Sequence, residues 1–440
     1  MGQCLTPPIP NQSKTKRETQ NTFYFQYKRA STVRTSITLV SSLPNKALHY
    51  WYFYTIMHRS IFRNTFLLFV LVINITLSKG ENDNENDNEN ENDNQRQVYD
   101  FEEDCLGIPN NFSKAALIHN TNTFTDFLNT NASYSSLYFA DKTYHFYPGI
   151  YGQQIIDFEM YVNGTLRFHR PNETYVNHYD RPEPCILIED SEDIIISSPD
   201  PASSSDSANG NGDDNGNNDD EYFIDTAYAN AKRGIIDGHG SDYWGIPFIG
   251  YVQLIEFRPD LLVLNRTTNV LIEYLIFRDA PLYTLHLHDQ ENLEIRYTSV
   301  VARRTHDDGH NLYDLSAFNT DGIDVSGNDV YVHDVDIWTQ DDCIAVKDSF
   351  LGVSSNMLFE RIHASGLGLT VGSIGGTTVS NITFRDSLLY RSYKGIYMKF
   401  RVDIYRDTAG LVENVLYENI TIVEPEQWGI WIGPAQQAIR

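Results

Sequence analysis

Two short acidic segments carry the residues whose types and spacing best suit chemistry. Residues 319–324 read Asn-Thr-Asp-Gly-Ile-Asp, and residues 340–347 read Gln-Asp-Asp-Cys-Ile-Ala-Val-Lys. When several carboxyl groups share one patch, their pKa values separate, so that one keeps its proton while others ionise. A protonated acid beside an ionised base can cleave a glycosidic bond. The alternative interpretation is turn-forming aspartates on a solvated face, and it would be favoured for any single aspartate.

Bringing the two segments together requires a fold with a regular repeat. Six segments in the C-terminal half begin with Asn and continue with alternating apolar residues, which is typical of strands. They begin at Asn269, Asn292, Asn328, Asn356, Asn381 and Asn414. Helical spacing is nearly absent, apart from a short stretch around residues 112–128. The pattern predicts an all-β chain folded as a parallel β-helix, whose stacked coils bury one core. A β-sandwich is the alternative, but its hairpins would need shorter spacing.

This repeat places the two acidic segments on consecutive coils. Asp321 and Asp342 are 21 residues apart, about one coil, and neighbouring strands stack roughly 4.8 Å apart. We therefore expect the segments to converge on one patch of the outer surface. The repeated Asn has a structural use, because it tolerates a left-handed bend and its amide can bond to the next coil. Strand alternation turns Cys343 away from Asp342, which predicts a buried thiol that is slow to alkylate.

The N-terminal part divides into segments of different composition. Residues 57–79 have the layout of a secretory signal peptide, with a basic start and about 12 apolar residues. That run is short of the roughly 20 residues that span a bilayer, so a type II anchor is the weaker alternative and no membrane span is expected after leader removal. Residues 1–56 are interpreted as a doubtful upstream extension and 80–97 as an acidic disordered linker. Residues 98–440 are interpreted as one β-helix domain with a disordered loop at 199–221.

Glycosylation signals agree with secretion. Seven Asn-x-Ser/Thr sequons follow the leader, at Asn111, Asn131, Asn163, Asn172, Asn265, Asn381 and Asn419. They predict a secreted glycoprotein, located outside the cell or in a cell wall. The cysteines after the leader are Cys105, Cys185 and Cys343, so one thiol must stay free or pair between chains. A Cys105–Cys185 bridge is one option. The net charge of −26 argues against nucleic-acid binding, and a monomer is expected.

The acidic segments resemble the signature motifs of the polygalacturonase family, glycoside hydrolase family 28. The resemblance rests on Asn319-Thr320-Asp321 and Asp341-Asp342-Cys343. Further matching segments, in the same order along the chain, are Gly234-Ile-Ile-Asp-Gly-His-Gly240 through Trp244, Arg258-Pro259 with the apolar run after it, and the glycine-rich residues 366–375. The resemblance covers roughly residues 100–440. It implies a right-handed single-stranded parallel β-helix of the pectin lyase-like class and a hydrolase that cleaves acidic pectic polysaccharide with inversion.

The resemblance also implies catalytic roles. Asp341 corresponds to the general acid, and Asp321 and Asp342 to the base pair that activates water. Inversion requires roughly 6.5–9.5 Å between acid and base. This chemistry needs no metal, so no cofactor is predicted, and the expected partner is the polysaccharide substrate.

The chain departs from the family pattern where the substrate should bind. Leu367 stands where the family has His, and Tyr397 replaces the Arg of the family's Arg-Ile-Lys segment, while Lys399 keeps the Lys. Arg401 shares a face of the predicted strand with Tyr397 and Lys399. Substrate binding is therefore assigned to Lys399, Tyr397 and Arg401, and a modified or less charged chain is expected to be cut better than plain polygalacturonate. Where the family usually has a cysteine before the glycine-rich motif, this chain has His363. Family members continue through further coils, so the C-terminal coils are expected to be missing.

Two other functions stay open on sequence grounds. A non-catalytic carbohydrate-binding β-helix is suggested by Leu367 and Tyr397, although the three acids argue against it. A polysaccharide lyase on the same fold would use an Arg or Lys base with Ca²⁺. The cluster His306-Asp307-Asp308-Gly309-His310 could bind a metal, but it is interpreted as an exposed loop.

Overall fold

The alternating segments form parallel strands that stack coil upon coil. The computed structural model describes residues 20–27, 35–40, 96–171, 182–199, 233–245, 257–305, 309–311, 314–401 and 409–435, with only the backbone for the first two ranges. The interpretations of residues 57–79, of most of 80–97 and of the loop at 199–221 fall outside the described residues and stay predictions. No helix in the described ranges is long and apolar enough to cross a bilayer.

Within the described residues the regular elements are one helix, 24 strands and short 3₁₀ turns. In chain order the strands are Gln20–Tyr27 (β1), Thr35–Val40 (β2), Gln97–Asp100 (β3), Ser135–Phe139 (β4), Thr143–Phe146 (β5), Ile150–Gln153 (β6), Ile156–Val162 (β7), Thr165–Phe168 (β8), Ile186–Glu189 (β9), Glu192–Ser197 (β10), Ile235–Asp237 (β11), Leu262–Asn265 (β12), Thr268–Glu273 (β13), Ile276–Arg278 (β14), Leu285–Arg296 (β15), Ser299–Val301 (β16), Ile323–Trp338 (β17), Ile344–Val346 (β18), Val353–Ser365 (β19), Leu369–Ile374 (β20), Thr378–Tyr390 (β21), Lys394–Phe400 (β22), Leu411–Val423 (β23) and Trp428–Pro434 (β24). The helix is Lys114–Thr130 (α1), and described 3₁₀ turns are Gly240–Asp242 and Asp314–Ala317.

In-register pairing joins the strands into three parallel sheets. Sheet 1 contains β6, β9, β12, the starts of β15 and β17, β18, β20, β22 and β24. Sheet 2 contains β3, β4, β7, β10, β13, the later parts of β15 and β17, and the starts of β19, β21 and β23. Sheet 3 contains β5, β8, β11, β14, β16 and the ends of β17, β19, β21 and β23.

These pairings confirm the predicted right-handed parallel β-helix. All strand pairings from β3 to β24 are parallel, so the sandwich alternative, which needs antiparallel hairpins, is wrong. β1 pairs antiparallel with β2 and parallel with β23. The core consists of apolar side chains that stack from coil to coil, as in Phe359, Phe384 and Tyr417, whose ring centroids are 4.5 and 4.8 Å apart. Each coil therefore buries its apolar residues against its two neighbours.

The N-terminal end of the stack is covered by α1. Ser113 caps this helix by accepting a hydrogen bond from the backbone N–H of Ala116. The apolar face of α1 packs on the first coil, where Phe124 contacts Phe101 and Phe139 at centroid distances of 5.9 and 5.3 Å. The short helical stretch expected around residues 112–128 is confirmed.

The repeated asparagines form a column, here named the amide column, at the entry to sheet 2. Its members, with φ between +54° and +58°, are Asn269, Asn292, Asn356, Asn381 and Asn414. Asn292 donates to Asn269 and Asn381 donates to Asn356, both at 2.8 Å. The predicted bend is confirmed for all five residues, and amide bonding between coils is confirmed for the two bonded pairs.

One member was predicted one residue too early. In the third Asn-led segment the left-handed residue is Asp329, with φ +55°, and not Asn328. Asn328 pairs with Glu291, so Asp329 lies opposite Asn292 of the preceding coil. Asp tolerates the left-handed bend as Asn does, so either residue type could have been chosen from sequence.

The cysteines have the positions expected of unpaired thiols. Cys343 is fully buried in the core, which confirms the predicted direction of its side chain, and burial raises its pKa to about 12. Cys105, Cys185 and Cys343 are all free, so the Cys105–Cys185 option is not realised. Slow alkylation of Cys343 stays a prediction.

Candidate active site

The two acidic segments meet just before the strands β17 and β18 enter sheet 1. Ile323 of β17 pairs with Ile344 of β18, so Asp321 and Asp342, each two residues earlier, occupy equivalent positions on consecutive coils. The backbone N–H of Gly322 donates to the carbonyl of Asp342 at 2.9 Å and holds this register. One carboxylate oxygen from each of Asp321, Asp341 and Asp342 lies within 4.8 Å of the others. The predicted convergence is confirmed.

Asp321, Asp324, Asp341 and Asp342, here named the carboxylate patch, are almost completely buried, with exposed fractions of 3%, 2%, 4% and 0%. The alternative of turn aspartates on a solvated face is therefore wrong. Burial disfavours the charged form and raises the pKa of Asp321 and of Asp341 well above the usual range, and neighbouring carboxylates raise both further. Burial likewise raises the pKa of Asp324 to about 6, against the opposing effect of Lys347.

Two lysines balance the charge of the carboxylate patch. Lys347 Nζ lies 3.0 Å from Asp324, 3.4 Å from Asp321 and 3.7 Å from Asp342. Lys399 Nζ lies 2.5 Å from the same Oδ2 of Asp342. Burial alone would lower the pKa of each lysine, but the surrounding carboxylates outweigh it and raise both. Both ammonium groups therefore stay charged and hold the patch together.

Asp341 has a different environment from its neighbours. Its oxygens accept hydrogen bonds from the Asn319 side-chain amide at 3.2 Å and from the Asp342 backbone N–H at 2.9 Å. In the described part of the chain no ammonium or guanidinium group forms an ion pair with it. By contrast, Lys347 approaches Asp321, whose Oδ1 is buried without a hydrogen-bond partner among the described residues. Asp341 and Asp321 therefore differ in their contacts: within the ranges that the structure describes, only Asp321 has an ammonium group beside it.

The three residues assigned to substrate binding do not all lie at the site. Tyr397 is buried, and its ring centroid is 4.6 Å from the ammonium groups of both Lys394 and Lys399. Lys399 reaches the carboxylate patch through Asp342. Arg401 instead bonds Asp348 at 2.9 Å and is half exposed. Tyr397 and Lys399 therefore join the site, and Arg401 is engaged elsewhere.

Several site residues were missed or left without a role by the sequence. Lys347 ends the second acidic segment, yet its contact with three carboxylates was not expected. Thr370 donates to Asp342 at 2.9 Å from the next coil. Lys394 occupies the position that Asp342 has two coils earlier, because Ile344 pairs with Leu369 and Leu369 with Ile396. Aligning the coils by their paired apolar residues could have revealed Lys394, which lies two residues before Ile396 as Asp342 lies two before Ile344.

The expectation of an exposed loop at residues 306–310 is wrong for its last two residues, Gly309 and His310, which are both buried. His310 is buried, its ring stacks on Trp338 at 5.0 Å, and its nitrogens lie 3.0 Å from Gln340 Oε1 and 2.8 Å from Ser365 Oγ. The aromatic walls of Trp338 and Tyr393 explain the burial, because they offer apolar contact to the imidazole faces. Residues 306–308 lie outside the described ranges.

Fold and site together define a class of protein, the parallel β-helices that carry a buried carboxylate patch on one sheet. Residues 222–435 match the sequence profile of the family described as "Glycosyl hydrolases family 28". This part of the chain, just under half of its length, is therefore similar to glycoside hydrolase family 28.

Known proteins resemble different portions of the chain. Endopolygalacturonase D of Aspergillus niger is 30% identical over 215 residues, which are 47% of this chain and 41% of that protein. The chain therefore spans less than half the length of this curated relative. In structure, the endo-xylogalacturonan hydrolase from Aspergillus tubingensis matches with a TM-score of 0.54 and 18% identity, over 72% of this chain and 74% of its own. The exopolygalacturonase from Thermotoga maritima matches with a TM-score of 0.53 and 15% identity, over 77% and 76%. These two structures support the fold.

Proposed function

We propose that the chain is a hydrolase that cleaves glycosidic bonds of a pectic or related acidic polysaccharide. The observation that carries the proposal is the carboxylate patch, where three buried aspartates have oxygens within 4.8 Å of one another. Burying charged groups is costly, and stability alone does not require it. Similarity to the family supports the substrate class, because a relative that is 30% identical over 215 residues is named an endopolygalacturonase.

In this proposal Asp341 is the general acid. It is buried, its pKa is raised by burial and by Asp321 and Asp342, and the described residues give it no cationic partner. It can therefore hold a proton near neutral pH and donate it to the leaving oxygen. Asp321 and Asp342 act as the base, and the unpartnered Oδ1 of Asp321 is the acceptor that orients the attacking water.

We propose inversion at the anomeric carbon, as family resemblance implies. The short spacing of the patch, within 4.8 Å, does not by itself favour this outcome, since inverting pairs are usually roughly 6.5–9.5 Å apart. However, Lys347 holds Asp321 and Lys399 holds Asp342, which favours binding of a water over direct attack by either carboxylate. Proton NMR of the first product anomer decides the question, and retention of configuration would exclude this assignment.

The substrate proposal follows from Tyr397 and its two lysines. Lys394 and Lys399 supply point charges, but Tyr397 has no bidentate fork for a galacturonate carboxylate. Loss of one charge-assisted contact weakens binding by roughly 1.5–3 kcal/mol. We propose that a modified, branched or less charged galacturonan is cut faster than plain polygalacturonate. Tyr397→Arg should then improve activity on plain polygalacturonate. Arg401→Gln changes a residue outside the site and serves as the control.

Secretion and glycosylation form part of the same proposal. The signal-peptide layout supports secretion, and the sequon residues Asn111, Asn131, Asn381 and Asn419 are exposed. A mass shift after peptide-N-glycosidase treatment of protein recovered from a secreting host would support it. Protein retained inside the host without glycans would count against it.

The decisive experiment compares products from a panel of pectic and algal polysaccharides. A hydrolase produces reducing ends without unsaturated sugars, whereas a lyase produces an ultraviolet-absorbing unsaturated uronate. A carbohydrate-binding protein retains the polysaccharide but produces neither reducing ends nor unsaturated uronate, and Asp341→Asn should then behave like the wild type. Reducing ends that disappear in Asp341→Asn are the expected result.

A further inference from the structure

A second cluster of titratable side chains lies on sheet 3, apart from the carboxylate patch. This histidine cluster consists of His145, His169, His239 and Asp242. His145 belongs to β5, His169 follows β8, and His239 follows β11. Because Arg167 pairs with Asp237 in the β8–β11 ladder, His169 and His239, each two residues later, occupy equivalent positions on consecutive coils. The 3₁₀ turn at Gly240–Asp242 then brings Asp242 back beside His239.

The donor atoms of this cluster converge. One ligand atom each from His169, His239 and Asp242 lies within 4.8 Å of the other two. Two ligands of one tetrahedral zinc ion are about 3.4 Å apart, given metal–ligand bonds of roughly 2.0–2.2 Å. The partly exposed side chains of His239 and Asp242, with exposed fractions of 37% and 41%, can rotate to close that difference.

Two further contacts prepare the cluster for an ion. His239 Nδ1 is buried, 3.2 Å from Asp242 Oδ2, and makes no hydrogen bond with the described residues. His145 Nδ1 lies 2.7 Å from His169 Nε2, so one imidazole donates to the other and the orientation of His169 is set. An outer partner of this kind commonly orients a metal-binding histidine.

Cationic side chains also lie beside the cluster. Arg170 donates to the backbone carbonyl of Asp242 at 2.9 Å. Arg167 pairs with Asp237, 3.0 Å away. Asp237 also receives Arg278 at 2.7 Å and accepts the backbone N–H of His239. The turn that carries His239 is thus anchored independently of any ion.

We propose that His169, His239 and Asp242 form a binding site for a divalent transition metal ion such as Zn²⁺, with His145 as the positioning residue. Two imidazoles and one carboxylate are ligands that suit this class of ion. The ion would connect turns that are 70 residues apart in sequence. The site lies three coils before that of Asp341, roughly 14 Å along the axis, so its role is to stabilise these coils and not to take part in bond cleavage.

The test measures Zn²⁺ binding by equilibrium dialysis on tag-free, full-length protein. We expect one ion per chain in the wild type and in His119→Ala, which changes an exposed histidine outside the cluster. His169→Ala/His239→Ala should abolish this binding, and His145→Ala should weaken it about 10–100-fold. Added Zn²⁺ should raise the Tm of the wild type but not that of the double variant.

Asp321→Asn separates this site from the carboxylate patch and should retain the ion. Absence of Zn²⁺ from the wild type would overturn the proposal and leave a hydrogen-bonded histidine pair. Equal binding by wild type and a folded double variant would also overturn it. Should the double variant fail to fold, Asp242→Asn provides the same comparison, with at least about tenfold weaker binding expected.

Discussion

The amide column and the carboxylate patch arise from the same coil repeat but differ in their energetics. In the amide column each side chain is exposed, and Asn356 donates to Asp329 and accepts from Asn381 on the two neighbouring coils. In the carboxylate patch the side chains are buried, two oxygens lack a partner among the described residues, and like charges face one another. Polar side chains that meet their hydrogen-bonding needs within the column stabilise the fold. Buried carboxylates that need lysine counter-charges indicate a functional site.

The difference has a simple physical origin. An Asn amide can donate to one neighbouring coil and accept from the other, as Asn356 does with Asp329 and Asn381. Stacked carboxylates repel one another and require Lys347 and Lys399 as counter-charges. The patch therefore costs stability, which the packed core beneath it offsets. The following predictions test this contrast.

Asp341→Asn should have the largest effect. Removing the positioned acid should lower kcat by about 10²–10⁴-fold on the best substrate, because general acid catalysis contributes about that much. Asp329→Asn makes the same chemical change in the amide column, where Asn keeps the left-handed bend, and should leave kcat unchanged. Circular dichroism should show both variants folded. Full activity in Asp341→Asn would refute the assignment of the acid.

Lys347→Met should lower the free energy of unfolding by about 3 kcal/mol at neutral pH, because it leaves buried carboxylates without their shared counter-charge. Lys142→Met removes an exposed lysine that pairs with Glu102 and should cause no measurable change. Urea unfolding measures both. Equal stability of the wild type and Lys347→Met would show that the patch does not depend on this ammonium group.

The pH dependence of stability should distinguish the carboxylate patch from the amide column. The pKa of Asp324 is raised to about 6 from a usual value near 3.8. The folded state therefore binds the extra proton between these values, so the stability contributed by Asp324 is present below about pH 4 and is lost as pH rises through about 6. The Tm of the wild type relative to Asp324→Asn should fall from pH 4 to pH 7.

Asn356→Ala supplies the comparison for that experiment because it removes no titratable group. Its Tm relative to the wild type should stay constant over the same pH range. A constant difference for Asp324→Asn as well would contradict the raised pKa.

Asn356→Ala should have a small effect on stability and none on kcat. The residue has a φ of +57°, where a non-glycine side chain costs roughly 1–2 kcal/mol, and its amide bonds to both neighbouring coils. Asn356→Gly removes the same bonds but accommodates the bend, so it should cost less. Chemical denaturation separates the two contributions. A loss of activity in Asn356→Gly without loss of stability would give the amide column a functional role.

Much of this arrangement could be read from local pattern. Alternating apolar residues predicted strands, the interval between Asn-led segments predicted coils, and the 21 residues between Asp321 and Asp342 predicted their stacking. Alternation also predicted that Cys343 faces the core. These features depend on neighbours within one or two coils, and strand period and coil length are properties of short sequence segments.

Other features depended on residues brought together from distant coils. Lys399 reaches Asp342 across 57 residues, and His310 became buried because Trp338 and Tyr393 enclose its ring. Pairing with the preceding coil places Asp329, and not Asn328, opposite Asn292 at the left-handed bend. Sequence determined the stack and the placement of the acids on it. Burial, charge compensation and register irregularities were decided by the tertiary structure, because they depend on loops of variable length that no local period describes.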